Sequence, residues 1–436
     1  MTAEWTFSEL NEWDEKICNI ANNYGLEWFP IEYEICNYYD MIGHISYGGM
    51  PSQYPHWSYG KAFERTHQFY NLGIEGLPYE LIINSDPSIA YLMRENPLYL
   101  QILIMCHCTG HSDFFKNNRF FKDTNPTVAV SRFRNARNRI KKYMNDTSIG
   151  IDKVESFLDA VRSIQYQIDW NFKDRISHVE MKKKYINKIN RSKNININDV
   201  NLNAIPLESD YDLLGFIIEH GHHLEDWKRD ILEIVKTESQ YFIPQIRTKI
   251  LNEGWASFWH YKIMHDLDLP QEYHLAFLKS HNQVVRPHLG KINPYNLGFH
   301  LFTKMEKNKG LEECFFTREV HDDESAIRNI LDREDCEELN LFSYSHKKKH
   351  ISIDEISDED GWKIIKKDLI KSIGSNSIPK MYVKDLERDK TLILEHEHDG
   401  RDLDLRYSEA VVEHVRSLWE FDVKLFTIIE EDTWEI

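Results

Sequence analysis

Apolar residues recur at the spacing of an α-helix through most of the first 350 residues of the chain. This pattern predicts helices over residues 4–24, 127–145 and 150–170. It fades through the Lys- and Asn-rich stretch 180–205, which is predicted to be an exposed excursion, and it returns from Asp210 onward. The first part of the chain is therefore predicted to be a mainly α-helical core domain.

Proline marks several boundaries between the predicted elements. Asn96-Pro97 is typical of an N-cap followed by a first-turn proline, and it precedes the apolar run LYLQILIMCHCTGHSDFF, which predicts a buried helix. Pro244 predicts a break between helices at about 224–242 and 246–266, because an interior proline removes a backbone donor and clashes with the preceding turn. Residues 38–60 are rich in Gly, Pro and Tyr and predict a loop.

The character of the sequence changes after about residue 350. Helical and β-rich patterns then alternate: a helix near 360–372, strands at 381–383 and 391–394, a helix at 407–418 and a final strand at 422–428. We therefore predict two domains, a helical core at residues 1–350 and a small C-terminal α+β domain at residues 351–436.

The charge balance and the composition limit the cellular location and the classes of binding partner that are expected for this protein. A formal net charge of −18 disfavours a surface that neutralises phosphates, so no nucleic-acid partner is expected. The N-terminal segment lacks the apolar stretch of a signal peptide, and no apolar run approaches the roughly 20 residues of a membrane span, so no membrane insertion is expected. Six cysteines without a CxxC pair indicate reduced thiols, and we predict a cytoplasmic protein.

Two histidines on the predicted buried helix are candidate metal ligands. His107 and His111 are four residues apart, so both imidazoles lie on one helical face, as do the histidines of an HExxH metal helix. Cys108 stands where that motif has its glutamate base, so the pair alone leaves packed core histidines as an alternative. Glu253 follows on a second apolar helix, where a carboxylate needs a cation, a metal or a proton. Together they predict a His₂Glu site for a divalent metal ion, with zinc as the expected metal.

Two further residues are candidates for proton transfer. His260 follows Glu253 by seven residues, which places it roughly 10.5 Å further along the helix and too far away for the same ion. It is predicted to support a metal ligand, to contact the substrate or to bind a second ion, with a hydrogen-bonded core histidine as the alternative. Glu238, on the preceding helix, is the nearest substitute for the missing base, and its alternative is a surface carboxylate paired with a basic neighbour. The cluster His220–His223 is interpreted as a solvated loop outside the site.

Several longer motifs carry distinctive combinations of residues, among them YPHWSYGK, HSDFFKNN and NEGWAS. They lie in Met50–Lys61, Tyr79–Leu92, His107–Asn118, Gln245–His260, Asn293–Gly298 and Arg328–Leu331. Together they resemble the SpoVR (stage V sporulation protein R) family over most of the chain. The resemblance implies a cytoplasmic protein that is linked, in spore formers, to assembly of the spore cortex peptidoglycan, with unknown protein partners in a cell-wall or sporulation pathway.

The candidate site predicts a metal-dependent hydrolase that acts on an amide-type bond through metal-activated water, with Glu238 or His260 moving the proton. The alternative is a non-catalytic scaffold or regulator of cell-wall or sporulation processes, in which the His/Glu cluster is structural. A catalytic metal site keeps an open coordination position, whereas a structural site is closed. Access of solvent to the cluster therefore distinguishes the two hypotheses.

Overall fold

The computed structural model of the chain describes residues 5–71, 80–171, 176, 178–191, 204–288, 291–347 and 350–436. Helices dominate, and in chain order they are α1 (Phe7–Tyr24), α2 (Tyr38–Ser46), α3 (Trp57–Asn71), α4 (Leu98–Asn117), α5 (Pro126–Asn145), α6 (Ile151–Ser163), α7 (His178–Arg191), α8 (Leu213–His220), α9 (Asp226–Arg247), α10 (Lys249–Asp266), α11 (Gln271–Val284), α12 (Pro294–Lys309), α13 (Leu311–Val320), α14 (Asp323–Ile330), α15 (Arg333–Glu338), α16 (Gly361–Ser372) and α17 (Leu405–Trp419). The strands are β1 (Ile31–Cys36), β2 (Leu81–Ile83), β3 (Ser88–Met93), β4 (Ser343–Lys347), β5 (His350–Glu355), β6 (Met381–Leu386), β7 (Leu392–His396), β8 (Val423–Ile429) and β9 (Asp432–Glu435).

The chain forms two compact units. The first comprises Met1–Asn138 and Pro244–Ser377, and the second comprises Arg139–Ile243 and Ile378–Ile436. In the second unit, strands β6 to β9 form a four-stranded sheet in the order β6-β7-β8-β9, and α17 connects the parallel pair β7 and β8. The predicted fold class, a mainly helical core with a small C-terminal α+β domain, is confirmed. The boundary at residue 350 stays a prediction.

Helix α4 is the centre of the first unit. Every residue from Leu100 to Phe115 is buried, so this helix is enclosed on all sides rather than amphipathic. It packs against α10, which is almost as deeply buried, and α10 packs in turn against α12. Large rings such as Trp255 and Trp259 are fully buried here, and burying an apolar side chain of this size stabilises the fold by about 2–3 kcal/mol.

Glycines bring these three helices into backbone contact. A Cβ added to Gly110 of α4 would lie 2.8 Å from the Cα of Ala256 on α10. A Cβ added to Gly298 of α12 would lie 2.6 Å from the Cα of Gly254 on α10. Neither crossing has room for a methyl group, since carbon atoms in favourable contact are about 3.5–4.0 Å apart. The relative positions of α4, α10 and α12 are therefore closely defined.

A small sheet lies beside this helical core. Strand β3 is central, with β1 parallel on one side and β2 antiparallel on the other. Its interior positions are apolar and buried, including Ala90, Tyr91 and Leu92. The sheet was not predicted, and it matters because the short strand β2 begins directly after Glu80.

Two predictions of local structure, for residues 38–60 and for the proline at position 244, are wrong. Residues 38–60 are not a continuous loop, because Asn37 caps α2 through hydrogen bonds to two backbone N–H groups and α3 begins at Trp57. Helix α9 continues through Pro244 and ends at Arg247. The break comes at Thr248, whose N–H and hydroxyl both donate to the Pro244 carbonyl. One lost backbone donor is thus tolerated inside this helix.

Two predictions in the second unit also need correction. The stretch 180–205, predicted to be an exposed excursion in which the helical pattern fades, includes the Lys-rich residues 182–184 of helix α7, and its residues 192–203 lie outside the described residues. Strand β8 is followed by a further strand, β9. The turn between them uses Glu430 and Glu431, both at positive φ, instead of the Asn-Gly pair that usually marks such a hairpin.

Within the described residues, no helix combines the length and the apolar character that crossing a bilayer requires.

Candidate metal centre

Four side chains of the first unit converge on one point. Helix α4 presents His107 and His111, α10 presents Glu253, and Glu80 comes from the residue before β2. One ligand atom from each residue lies within 4.8 Å of the ligand atoms of the other three. The structure therefore brings together the three predicted ligands and adds Glu80, which the sequence did not indicate.

The distances between these atoms fit ligands around an ion better than direct hydrogen bonds. His107 Nε2 lies 3.6 Å from Glu80 Oε1 and 3.8 Å from Glu253 Oε2, and His111 Nε2 lies 3.5 Å from the same Oε2. Hydrogen bonds between nitrogen and oxygen are about 2.7–3.2 Å long. Two ligands bound tetrahedrally at about 2.1 Å from a zinc ion would be roughly 3.4 Å apart.

Two of the converging atoms also lack a hydrogen-bond partner within the described part of the chain. His107 Nε2 and Glu253 Oε2 are both buried and make no hydrogen bond there. A buried polar atom without a partner costs about 1–3 kcal/mol. An ion coordinated by both atoms would remove this cost, so the donor set fits a divalent metal.

The other nitrogen of each histidine is held by a neighbour. His111 Nδ1 donates to Asn252 Oδ1 at 2.9 Å, and because an amide oxygen only accepts, the neutral ring of His111 has its lone pair on Nε2. His107 Nδ1 lies 2.8 Å from Nδ1 of His260. Such contacts to the second ring nitrogen are typical of metal-binding histidines, since they fix the tautomer and the ring orientation.

The electrostatic balance keeps Glu253 ionised. Burial raises the pKa of this carboxyl group, but His107 and His111 more than offset that effect and hold the pKa well below its ordinary value. Burial lowers the pKa of His111, but interactions with Glu253 and Asn252 raise this pKa by more, so the net shift is upward. An anionic carboxylate between two imidazoles is a suitable ligand arrangement for a divalent cation.

Tyr295 of α12 is a further group at the cluster. Its ring lies 6.2 Å from that of His107. Burial raises the pKa of the phenol well above 10.0, and the carboxylates Glu253 and Glu80 raise it further. The phenol is therefore protonated at neutral pH and can donate a hydrogen bond to a carboxylate.

The two carboxylate side chains are more exposed than the two imidazoles. The side chains of His107 and His111 are 2% and 6% exposed, whereas those of Glu80 and Glu253 are 14% and 18% exposed. The histidines thus form the buried wall of the cluster, and the carboxylates lie at its accessible edge.

Buried carboxylates outside the cluster hold its helices in place. Thr248 makes no side-chain cap at the start of α10, and Asp323 of α14 accepts from the N–H groups of Ile250 and Leu251 instead. Asp113 of α4 accepts from Trp255 Nε1 of α10 and pairs with Arg318 of α13. These contacts fix α10 and α4 on either side of the converging ligands.

The remaining predicted site residues lie outside the group of four. His260 is buried behind His107. Its Nε2 lies 2.8 Å from Nδ1 of His281. Glu238 is buried on α9, in the second unit. His222 is exposed between α8 and α9. The catalytic roles predicted for Glu238 and His260 stay predictions, as do the bound metal and its identity.

Sequence reasoning missed Glu80, Asn252 and His281 as members of this neighbourhood. Glu80 had one local signal, a carboxylate directly before the apolar run LII. Asn252 also had a local signal, since it directly precedes Glu253 in the sequence. No spacing rule connects His281 to α4, since its contact depends on how α11 packs against α10.

The protein therefore belongs to the class of mainly helical proteins, with a His/Glu cluster in the helical core and a small α+β domain at its C-terminal end. The cluster makes it a candidate metalloprotein. Residues 4–378 match the family described as "SpoVR like protein", and residues 380–430 match "SpoVR-like C-terminal domain". The chain belongs to the SpoVR family, which confirms the resemblance found in the sequence.

A relative from Escherichia coli (strain K12), described as "Uncharacterized protein YcgB", is 32% identical over 489 residues. The match covers 99% of this chain and 94% of the relative. No solved structure is significantly similar to the chain.

Proposed function

We propose that this protein is a metal-dependent hydrolase with one divalent ion, zinc, bound by His107, His111 and Glu253. The observation that supports the proposal most strongly is the pair of buried, unpartnered atoms His107 Nε2 and Glu253 Oε2 at ligand-to-ligand spacing. A set of two histidines and one glutamate is a recurrent catalytic zinc set that leaves a coordination position open.

Glu80 is the proposed general base. Its Oε1 lies 3.6 Å from His107 Nε2 at the accessible edge of the cluster, so it can accept a proton from an attacking water and return it to a leaving group. This assignment fills the role of the glutamate that Cys108 replaces in the sequence pattern. It is favoured over His260 because both ring nitrogens of His260 already face other histidines.

A bound divalent ion would supply Lewis acidity toward water and toward a carbonyl oxygen. The residues of the chain would position the ligands and exclude water. Asn252 orients His111, and Tyr295 donates a hydrogen bond to the carboxylates. The packing of α4 against α10 excludes water from the histidine side. We propose an amide-type bond as the target, because His₂Glu zinc sites with a nearby carboxylate base serve peptide hydrolysis in other folds. Peptidoglycan stem peptides, which the family resemblance suggests, are the substrates to test first.

Metal content tests the ligand set. The full-length protein is purified without chelator, supplied with zinc, iron or manganese, and measured by elemental analysis. We expect stoichiometric metal in the wild type and a strong loss in His107→Ala, His111→Ala and Glu253→Gln. His222→Ala is the matched control and should bind as the wild type does, because that histidine is exposed and remote in sequence from the cluster. Metal that survives all three ligand substitutions, or a wild type that binds none, would refute the proposal.

Glu80→Gln separates the hydrolase from the structural alternative. If Glu80 is the base, the variant keeps its metal and loses amide hydrolysis, measured as release of free amine from stem peptides. One observation favours the alternative: four protein ligand atoms are within reach of one another, which is enough to close a tetrahedral shell. In that case Glu80→Gln would lower metal binding and thermal stability together, and a scaffold with a structural ion would be the better description.

A further inference from the structure

Three buried histidines form a continuous chain behind the candidate metal centre. His107 Nδ1 lies 2.8 Å from His260 Nδ1, and His260 Nε2 lies 2.8 Å from His281 Nδ1. The three residues are only 1–2% exposed. They come from three different helices, α4, α10 and α11, so no local sequence spacing accounts for the alignment.

Metal binding at His107 determines where every proton in this chain lies. A neutral imidazole that binds an ion through Nε2 carries its hydrogen on Nδ1. His260 Nδ1 must then accept, so the hydrogen of His260 is on Nε2. That N–H donates to His281 Nδ1, which must accept as well, and the hydrogen of His281 is on its Nε2. Any other arrangement places two N–H groups, or two lone pairs, opposite each other.

We propose that His260 and His281 are positioning residues that hold His107 in its metal-binding tautomer through a hydrogen-bonded chain of three neutral imidazoles. The inference rests on the proposed metal centre and extends it to a residue of α11. Neither residue is assigned as a ligand. Their effect on metal affinity passes through the orientation and the proton of His107.

The surroundings of His281 make this chain hard to replace. Its ring contacts the rings of Tyr261, Phe277 and Phe299, at centroid distances of 4.8, 6.1 and 4.9 Å. These faces are apolar, so an N–H of His260 that lost His281 would point into a region of aromatic carbon. Leaving a buried donor without its acceptor costs about 1–3 kcal/mol. The cheapest relief is a change of tautomer at His260, which would put its Nδ1–H against that of His107.

Two substitutions at one position separate the acceptor from the ring volume. His281→Asn keeps an acceptor, because its Oδ1 can occupy the position of Nδ1, whereas His281→Phe keeps an aromatic ring and removes the acceptor. His265→Phe is the control, since that ring also contacts Phe277 but bonds to the Tyr261 carbonyl outside the chain. Zinc affinity is measured on the full-length proteins by competition with a chromophoric chelator.

We expect His281→Phe to weaken zinc binding by about 10–100-fold, with His281→Asn and His265→Phe close to the wild type. Equal zinc affinity in His281→Phe and the wild type would refute the inference while leaving the metal centre intact. A wild type that binds no zinc would refute the metal centre itself. The two failures are therefore distinguishable.

A spectroscopic measurement on the unmutated protein gives a second readout that does not depend on the folding of a variant. Imidazole ¹⁵N resonances distinguish protonated from unprotonated ring nitrogens, and the rings of His260 and His281, among the 21 histidines of the chain, are assigned in the unmutated protein by correlation to their own backbone resonances. In the zinc-loaded protein, we expect His260 to be protonated on Nε2 and unprotonated on Nδ1, and His281 likewise. A zinc-loaded His260 that carries its proton on Nδ1 would overturn the proposed chain.

Discussion

Gly298→Ala is the substitution whose effect can be worked most directly from the structure. Its Cβ would lie 2.6 Å from the Cα and 2.9 Å from the N of Gly254. The carbonyl oxygen of Ile250 is closer still, and all three neighbours are backbone atoms, so no side chain can rotate away. Since carbon atoms in contact are about 3.5–4.0 Å apart, α12 would have to move from α10 by roughly 1 Å.

This displacement should lower both stability and metal affinity. Overpacking in a closely packed core costs about 1–3 kcal/mol, and we expect the upper part of that range because only the backbone can yield. Glu253 is adjacent to Gly254, and Tyr295 lies one turn before Gly298 on α12. Metal–ligand distances tolerate only about 0.2 Å, so a shift of this size should weaken zinc binding although no ligand is changed.

Urea denaturation and zinc competition measure the two effects. Gly60→Ala is the matched control, because Gly60 is an exposed glycine within helix α3 and a Cβ there meets nothing within 4 Å. That control should be neutral or stabilising by up to about 1 kcal/mol, since alanine favours helix over glycine. If Gly298→Ala were as stable as Gly60→Ala and bound zinc equally well, close packing of α12 against α10 would be needed neither for stability nor for zinc binding.

Three further outcomes are expected. Arg318→Met removes the buried partner of Asp113 and should lower the free energy of unfolding, measured by urea denaturation, by about 3 kcal/mol. Arg328→Met breaks an exposed pair within one helix and should lower it by only about 0.3–0.5 kcal/mol. Equal losses of stability in the two variants would contradict this expectation. Burial raises the pKa of Asp323 from 3.8 to about 8, so its contribution to stability should be complete below pH 3.8 and lost as the pH rises through about 8. Asp323→Asn should remove that pH-dependent part of the unfolding free energy, and an unchanged pH profile would refute the assignment. A chelator should lower the melting temperature of the wild type and leave that of Glu253→Gln unchanged, as a thermal-shift assay would show.

The sequence predicted the helices that carry the site because their signals are local. The apolar run after Pro97 is dense enough to indicate a buried helix, and the spacing of His107 and His111 places both rings on one face. Glu253 was recognised by the cost of leaving a carboxylate unpaired among aromatic residues. Each of these inferences depends on residues within one helix.

The parts that sequence reasoning missed depend on contacts between elements. Glu80 reaches the cluster because β2 pairs with β3 and not because of any spacing to α4. Pro244 does not end α9, since one missing donor does not break a helix whose neighbouring turns are well packed. Residues 38–46 form a helix because Asn37 satisfies its first donors, a cap that the Gly- and Tyr-rich composition obscured.

The glycines beside the ligands suggest how close helix packing and metal binding were combined in one sequence. Gly110 lies between His107 and His111 in the chain, and Gly254 directly follows Glu253. A glycine inside a helix costs about 1 kcal/mol relative to alanine, so two such positions beside the candidate ligands weaken the helices that carry them. In return, α4 approaches α10 at Gly110 and α12 approaches α10 at Gly254, until an added methyl group no longer fits at either crossing. The α4–α10 approach brings the imidazoles and the carboxylate to within 3.5–3.8 Å of each other. A helix-weakening residue next to a candidate ligand therefore indicates that the precision of the interhelical contact matters more than local helix stability.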